Sequence, residues 1–360
     1  MIPVKKEALL VSPRDIKPIS PKFSVIGTFN PAAARLPNGD IALYVRVAEK
    51  LKNEASEDSK YYYAPRCEGD KTCRIKLDKF RKDLVRLKSP DDIIFKDDTK
   101  RLLFISHFRR VILDKTGFKI KSIDKKPSFS GLKANGELGV EDPRIVKIGD
   151  KYIMTYVSLS RLGDISTSLA TSKDCINWDR KGMIFSEQNK DVVLFPEKSD
   201  KFYYAFNRPE SEFQFSPPHM WISSSKDLIN WGHNRPLLLS KKGNWDYQRV
   251  GAGAPPIKTK KGWLLLYHGV VEAKDSLSYE VGAALFDLKS PRKLIAKSPQ
   301  PILSPVKNYA KTSSGNNIIF PTGLISDENG EDLLLFSGEA DTVTTVKKIS
   351  LQDIFKAMKK

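Results

Sequence analysis

Ser172-Lys173-Asp174-Cys175-Ile176-Asn177-Trp178 returns further along the chain as Ser225-Lys226-Asp227-Leu228-Ile229-Asn230-Trp231. In both copies an Asp stands where its carboxylate can accept backbone N–H groups of a tight turn. The Trp four residues on is a large apolar plug for a space between packed sheets. Each copy joins two strand-like runs, ISTSLATSKDCINWDRKGMIF over 165–185 and HMWISSSKDLINWGHNRPLLL over 219–239. A repeat of this length, with two strands on this side and a hairpin before it, reads as a four-stranded unit that needs neighbours to bury its faces.

Working outward, the hairpins share one pattern: a proline near an acid or aromatic, a short apolar strand, a Gly/Asp/Asn/Lys turn, then a strongly apolar strand. Asn30-Pro31-Ala32 leads to AARLPNGDIALYVRV, with its turn at Pro37-Asn38-Gly39-Asp40. Glu141-Asp142-Pro143 leads to RIVKIGDKYIMTYVS, Phe195-Pro196-Glu197 to KSDKFYYAFNRPE, Ala254-Pro255-Pro256 to IKTKKGWLLLYHGVV and Phe320-Pro321-Thr322 to GLISDENGEDLLLFSGEA. Turn residues between alternating apolar runs mark hairpins. Five such openings predict an all-β chain folded as a five-bladed β-propeller. A pair of β-sandwiches would accommodate the strands but not the repeat.

Residues 1–360 then form one catalytic propeller domain with two additions. Residues 49–82, rich in Lys, Asp and Glu and containing YYYAPRCEGDKTC, read as a charged insertion between blade strands; they could form a lid or the interface of a homo-oligomer. Residues 351–360 (LQDIFKAMKK) carry apolar positions at helical spacing and predict a short C-terminal helix. The longest apolar run, Gly262 to Val271, is too short to span a bilayer, and the opening MIPVKKEALLVSP lacks the apolar core of a signal peptide, so no membrane partner and a cytoplasmic location are expected. Cys67, Cys73 and Cys175 offer neither a disulfide framework nor a zinc-ligand spacing; free thiols are expected, with a local Cys67–Cys73 bridge as the alternative. The formal charge of +18 raises nucleic acid as a partner. The lysines are dispersed in small turn clusters without interleaved aromatics, so no nucleic-acid partner is expected, and a small anionic substrate would benefit from the same field.

The chemistry centres on Leu138-Gly139-Val140-Glu141-Asp142-Pro143-Arg144-Ile145. Pro143 restricts the preceding residue and is expected to hold Asp142 extended, while the Arg144 fork could grip a carboxylate or a substrate oxyanion. In a propeller, residues near the starts and ends of the innermost strands converge on a central funnel. That places Asn30, Arg46, Glu141, Asp142, Arg144, Lys190, Arg208, Tyr267, His268 and Asp341 around one space. Each has a plainer role: Tyr267 as core, His268 in a structural hydrogen bond, Arg208 paired with Glu210, Lys190 in an exposed turn. As a set they are cation-rich and acid-poor. An inverting glycosidase needs a carboxylic acid and a second carboxylate to activate water. A phosphorolytic enzyme needs only the acid, because phosphate is already a charged nucleophile and calls for cations and hydroxyls around it.

The sequence resembles the mannoside phosphorylases of glycoside hydrolase family 130 from about Gly27 to Val346. The runs that carry the resemblance are Asn30-Pro31, Val45-Arg46-Val47, Ile105-Ser106-His107, Gly139 to Arg144, Lys190-Asp191 with Leu194-Phe195-Pro196, and Arg208-Pro209. Later in the chain come Gly251 to Pro256, Gly262-Trp263 with Tyr267-His268-Gly269, Phe320 to Gly323, and Ala340-Asp341-Thr342. The resemblance implies inverting phosphorolysis of a β-mannoside, expected to be β-1,4-linked, to α-mannose 1-phosphate. It implies Asp142 as general acid, its proton travelling through the mannose 3-hydroxyl. Phosphate, a co-substrate with no further cofactor or metal, would be held by Arg161, Lys190, Arg208, Tyr267 and His268. Asn30, Arg46, Glu141, Arg144 and Asp341 would bind the mannose. Two departures, Asn207 where the family often has His and Glu339 in the last blade, leave a β-mannoside hydrolase as one alternative. A non-catalytic glycan-binding propeller is the other.

Overall fold

Asp174 and Asp227 make the turns that the repeat requires. Asp174 Oδ1 accepts the N–H groups of Ile176 and Asn177, each at 2.8 Å, and Asp227 Oδ1 accepts those of Ile229 (2.9 Å) and Asn230 (2.8 Å). The two tryptophans then reach toward the preceding sheet. Trp178 lies edge-on to Tyr44 and donates to its hydroxyl at 2.8 Å, and Trp231 stacks on Phe185 at 5.6 Å between centroids. Asp287 builds a third such turn, accepting from the N–H groups of Lys289 and Ser290, at a position where the heptapeptide has lost its sequence signature.

The structure, a computed structural model, describes residues 1–55, 60–211, 214–273, 276–305, 309 and 317–359. Its strands form the five blades of a propeller, each a four-stranded antiparallel unit. Blade I comprises Phe23–Arg35, Ile41–Leu51, Phe104–Leu113 and Ile120–Ile123; blade II Gly139–Ile148, Lys151–Ser160, Asp164–Ser172 and Asp179–Phe185; blade III Asn189–Leu194, Tyr203–Pro209, Met220–Ser225 and Trp231–Leu238. Blade IV has an inner strand in two pieces, Arg249–Ala252 and Ile257–Thr259, followed by Gly262–Ala273, Ser276–Phe286 and Leu294–Lys297. Blade V comprises Asn317–Ser326, Asp332–Glu339 and Val343–Ser350, and its outermost strand is the N-terminal Val4–Val11. Using the first strand to finish the last blade ties the chain ends together and covers a sheet edge that would otherwise stand open. The helix Leu351–Ala357 follows, with Ser350 at its N-cap and Ile354 buried against blade V.

Two expectations change. Glu49 belongs to the second strand of blade I, fully buried, with one carboxylate oxygen 2.9 Å from His107 Nε2 and the other accepting the Ile19 N–H at 2.8 Å. The insertion therefore begins after Leu51 and runs to Leu103. It contains a hairpin, Tyr61–Glu68 with Arg74–Arg81, and a small sheet of Val85–Lys88, Asp92–Phe95 and Lys100–Leu102. Cys67 and Cys73 are not free thiols but a disulfide. The hairpin pairs Glu68 with Arg74, which brings the two cysteines to a Cα separation of 4.9 Å, within bridging range. Only Cys175 is free and buried.

Candidate active site

The inner strands of blades I, II and III carry the same irregularity. Each places two residues opposite one on its neighbour: Asn30-Pro31, Asp142-Pro143 and Asp191-Val192. The first residue of each pair is in the left-handed region, with φ of 49°, 47° and 55° respectively. Asp142 is thus not extended as expected. A bulge re-aims its side chain, and Asn and Asp tolerate this backbone region better than other non-glycine residues. Such strain persists only where surrounding contacts fix it.

At Asp142 those contacts are polar. Its Oδ1 accepts from Asn30 Nδ2 and from Arg46 Nη1, both at 2.9 Å. Arg46 turns its other nitrogen to Glu141 Oε1, donates through Nε to Ser106 Oγ at 3.2 Å, and lies over the Phe29 ring. Burial alone would raise the Asp142 pKa, but Arg46, Arg144 and the Asn30 amide outweigh it and hold the carboxyl below its usual range. Asp341 behaves oppositely. It is solvent-reached yet ringed by protein, and desolvation together with the Asp142 and Glu141 carboxylates, against Arg46, pushes it up to about 6.

Arg144 joins this acid end to a cationic end. Nη1 donates to the Asp142 carbonyl at 2.7 Å, Nε donates to the Gly253 carbonyl at 2.6 Å, and Nη2 lies 3.8 Å from Asp191. Asp191 is clasped by Arg208 Nε at 2.7 Å and lies 3.5 Å from His268 Nε2. Arg208 also donates to Glu210 at 2.6 Å, and Glu210 accepts from Arg249, whose Nη1 donates to Tyr279. Burial, then Arg208, Arg144 and Arg249, drive the His268 pKa down to about 3 despite Asp191, so its ring is neutral near pH 7. Lys190 pairs in register with Arg208 and helps hold the Glu210 carboxyl low. Arg144 Nη2 and both ring nitrogens of His268 are buried without a hydrogen-bond partner among the described residues. Buried N–H groups left unmade are costly, and an anion with several acceptor oxygens would answer them.

The structure thus brings Asn30, Arg46, Glu141, Asp142, Arg144 and Asp341 together, and Lys190, Arg208 and His268 beside them. It does not bring Tyr267 or Arg161 into the cluster. Tyr267 follows strand alternation onto the face opposite His268. There its hydroxyl donates to the fully buried Asp246, at 3.1 Å, and its ring stacks on Trp245. Tyr267→Phe is therefore expected to cost about 1.5–3 kcal/mol of stability and leave the phosphate KM unchanged, as thermal melts and initial rates would show. Arg161, more than half exposed, holds Glu137. The two departures from the family pattern are structural: Glu339 is buried on Lys347, and Asn207 bridges Asn189 and Ser223. The Arg208–Glu210 pair offered by the sequence as a plainer role is present, whereas sequence reasoning missed Asp191, Arg249 as a second partner of Glu210, and Tyr279. Asp191 could have been found by aligning bulges, but blade III lacks a proline after it; its Phe195-Pro196 lies farther along the chain.

A family model described as Glyco_hydro_130, beta-1,4-mannooligosaccharide phosphorylase, matches residues 115–360. A β-1,2-mannobiose phosphorylase of Listeria innocua is 36% identical over 94% of this chain and 92% of its own. The solved structure of that enzyme's complex with β-1,2-mannobiose superposes with a TM-score of 0.84, covering 96% of each chain. A 1,2-β-oligomannan phosphorylase of Thermoanaerobacter sp. is 39% identical over 67% of this chain and 78% of its own. A β-1,4-mannooligosaccharide phosphorylase of Ruminococcus albus is 29% identical over 59% and 63%. With the bulged aspartate, the arginine relay and the five blades already in place, these matches make the chain a member of glycoside hydrolase family 130, the mannoside phosphorylases.

Proposed function

We propose that this protein is an inverting phosphorylase of β-1,2-linked mannosides, with Asp142 as general acid and inorganic phosphate as nucleophile. The observation that carries the chemistry is the pair of buried groups with no hydrogen bond among the described residues, Arg144 Nη2 and the His268 ring, beside Arg208 and reached from Asp142 through a single arginine. Phosphate held there would attack the anomeric carbon as the bond from that carbon to the linking oxygen breaks. The departing oxygen receives the Asp142 proton, by way of the mannose 3-hydroxyl as the family resemblance implies. Asp191 is poorly suited to serve as a base for water, because Arg208 and Arg144 outweigh burial and hold its carboxyl far below the usual range. The similarity over nearly the whole chain to a β-1,2 enzyme supports β-1,2 specificity over the β-1,4 linkage that the sequence alone suggested.

A cavity of about 400 Å³ lined by Phe215, Pro217, Gln248, Arg249 and Leu277 adjoins the cationic end. We assign it to the leaving sugar, with the fully exposed Phe215 ring as a platform. The test is incubation with β-1,2- and β-1,4-mannobiose, with and without phosphate. α-Mannose 1-phosphate should form only with phosphate, with kcat/KM for the β-1,2 disaccharide higher by about tenfold or more. Equal cleavage in phosphate-free buffer would establish the hydrolase, and binding without turnover the non-catalytic propeller.

A further inference from the structure

The run-up to Asp142 is gripped by the insertion. At the tip of the Tyr61–Glu68/Arg74–Arg81 hairpin, the Cys67 N–H donates to the Glu137 carbonyl at 2.7 Å, and the Gly69 carbonyl accepts the Lys133 N–H at 3.0 Å. Glu137 is held from its other end as well. The residue is 5% exposed, and its carboxylate accepts the backbone N–H of Arg161 at 2.9 Å. Two residues on, Gly139 at φ 128° passes so close to blade I that an added Cβ would stand 3.0 Å from Ser106 N. Ser106 in turn accepts from Arg46 and donates to Glu141. Cys67 is buried with Phe23, Leu51 and Ile105, and Cys73 packs on that cluster. The Cys67–Cys73 bridge thus closes the very turn that holds 133–137, a few residues before a strained bulge whose geometry depends on its supports.

We propose that the Cys67–Cys73 disulfide is a positioning clip for Asp142, so that turnover depends on the redox state of this pair. A dithiol reductant would pass two electrons and two protons to the bridge, giving two thiols and leaving its own sulfurs as a disulfide. The hairpin tip would then lose its closure, and the two backbone bonds to 133–137 would loosen. The proposal rests on Asp142 being the acid. The bond from Cys67 to Glu137 and the close pass at Gly139 do not, so they can be probed separately.

The folded full-length protein is treated with a dithiol, and reduction is verified by alkylation of two cysteines and mass measurement. Backbone hydrogen exchange is then compared with the oxidised protein, alongside kcat and the phosphate KM. Reduction should raise exchange selectively across 131–142 and lower kcat by about tenfold or more, since small misplacements at the reacting centre are costly, while the phosphate KM stays within about twofold. Reoxidation should restore both. Cys73→Ser, if it folds, should match the reduced protein. Unchanged exchange at 131–142, a rise spread evenly over all blades, or kcat within about twofold of the oxidised value would each overturn the clip. If the oxidised protein has no phosphorolysis, the functional reading fails, and the exchange result still decides whether the bridge holds 131–142.

Discussion

Asp142→Asn is expected to lower kcat by about 10²–10⁴-fold, the usual contribution of a positioned general acid, with KM values for mannoside and phosphate changed little. Asn keeps the shape, and its amide oxygen can still accept from Arg46, which also retains Glu141. The fold should therefore survive, and the loss should be read as one of transition-state stabilisation. The pH behaviour sharpens this. Arg46 and Arg144 hold the Asp142 carboxyl low in this structure, whereas a general acid must carry a proton. Bound phosphate would draw on the Arg144 charge, weaken its hold on Asp142 and let the carboxyl take up a proton. The basic limb of the kcat profile, which reports the loaded enzyme, should then lie at higher pH than that of kcat/KM, which reports the free enzyme. Stability obeys the opposite sign. A carboxyl depressed by folding adds stability above its unfolded value near pH 4 and loses it as the pH falls through its folded value. Any Tm deficit of Asp142→Asn should therefore be present at pH 7 and fade in acid. Wild-type kcat in the variant would remove Asp142 from the mechanism.

Arg208→Ala should have the second large effect, on both affinity and folding. Arg208 is 5% exposed and answers the buried Asp191 carboxylate and the partly buried Glu210. Removing one partner of a buried ion pair costs about 3–5 kcal/mol, because the other charge is left uncompensated. Each charged hydrogen bond lost to phosphate is worth about 1.5–3 kcal/mol, so the phosphate KM should rise at least tenfold. A double variant, Arg208→Ala with Asp191→Ala, separates the two roles. It should recover part of the lost stability, since the stranded carboxylate is gone, without recovering the phosphate KM. A thermal melt and a phosphate titration on both variants check this. An unchanged phosphate KM in a folded Arg208→Ala protein would place phosphate elsewhere.

Much of this architecture was legible because it rests on local chemistry. The Asp174 and Asp227 turns, the proline-led inner strands and the C-terminal helix each follow from side chains acting within a few residues of themselves. The Cys67–Cys73 bridge stands in the sequence only as an alternative to free thiols, for a related reason. Counting cysteines ignored the hairpin register that sets Cys67 across from Ile75 and brings Cys73 near. Tyr267 and His268, adjacent in sequence and in the family pattern, were read as one pair of ligands, although strand alternation must send neighbours to opposite faces.

The amino-acid order alone determined that the chain builds repeated four-stranded units, five of them, with a lone Asp-Pro-Arg at the start of the second. Those features depend on turn propensity and strand periodicity, which each segment carries with it. Only the closed ring decided that Asp191, unmarked by any proline, takes the place in blade III that Asn30 and Asp142 take in theirs. The ring likewise decided that Arg144 spans from the acid to the cations. The reason is physical: charges from different blades acquire partners, depressed or raised pKa values and a common cavity only once the sheets meet around one axis.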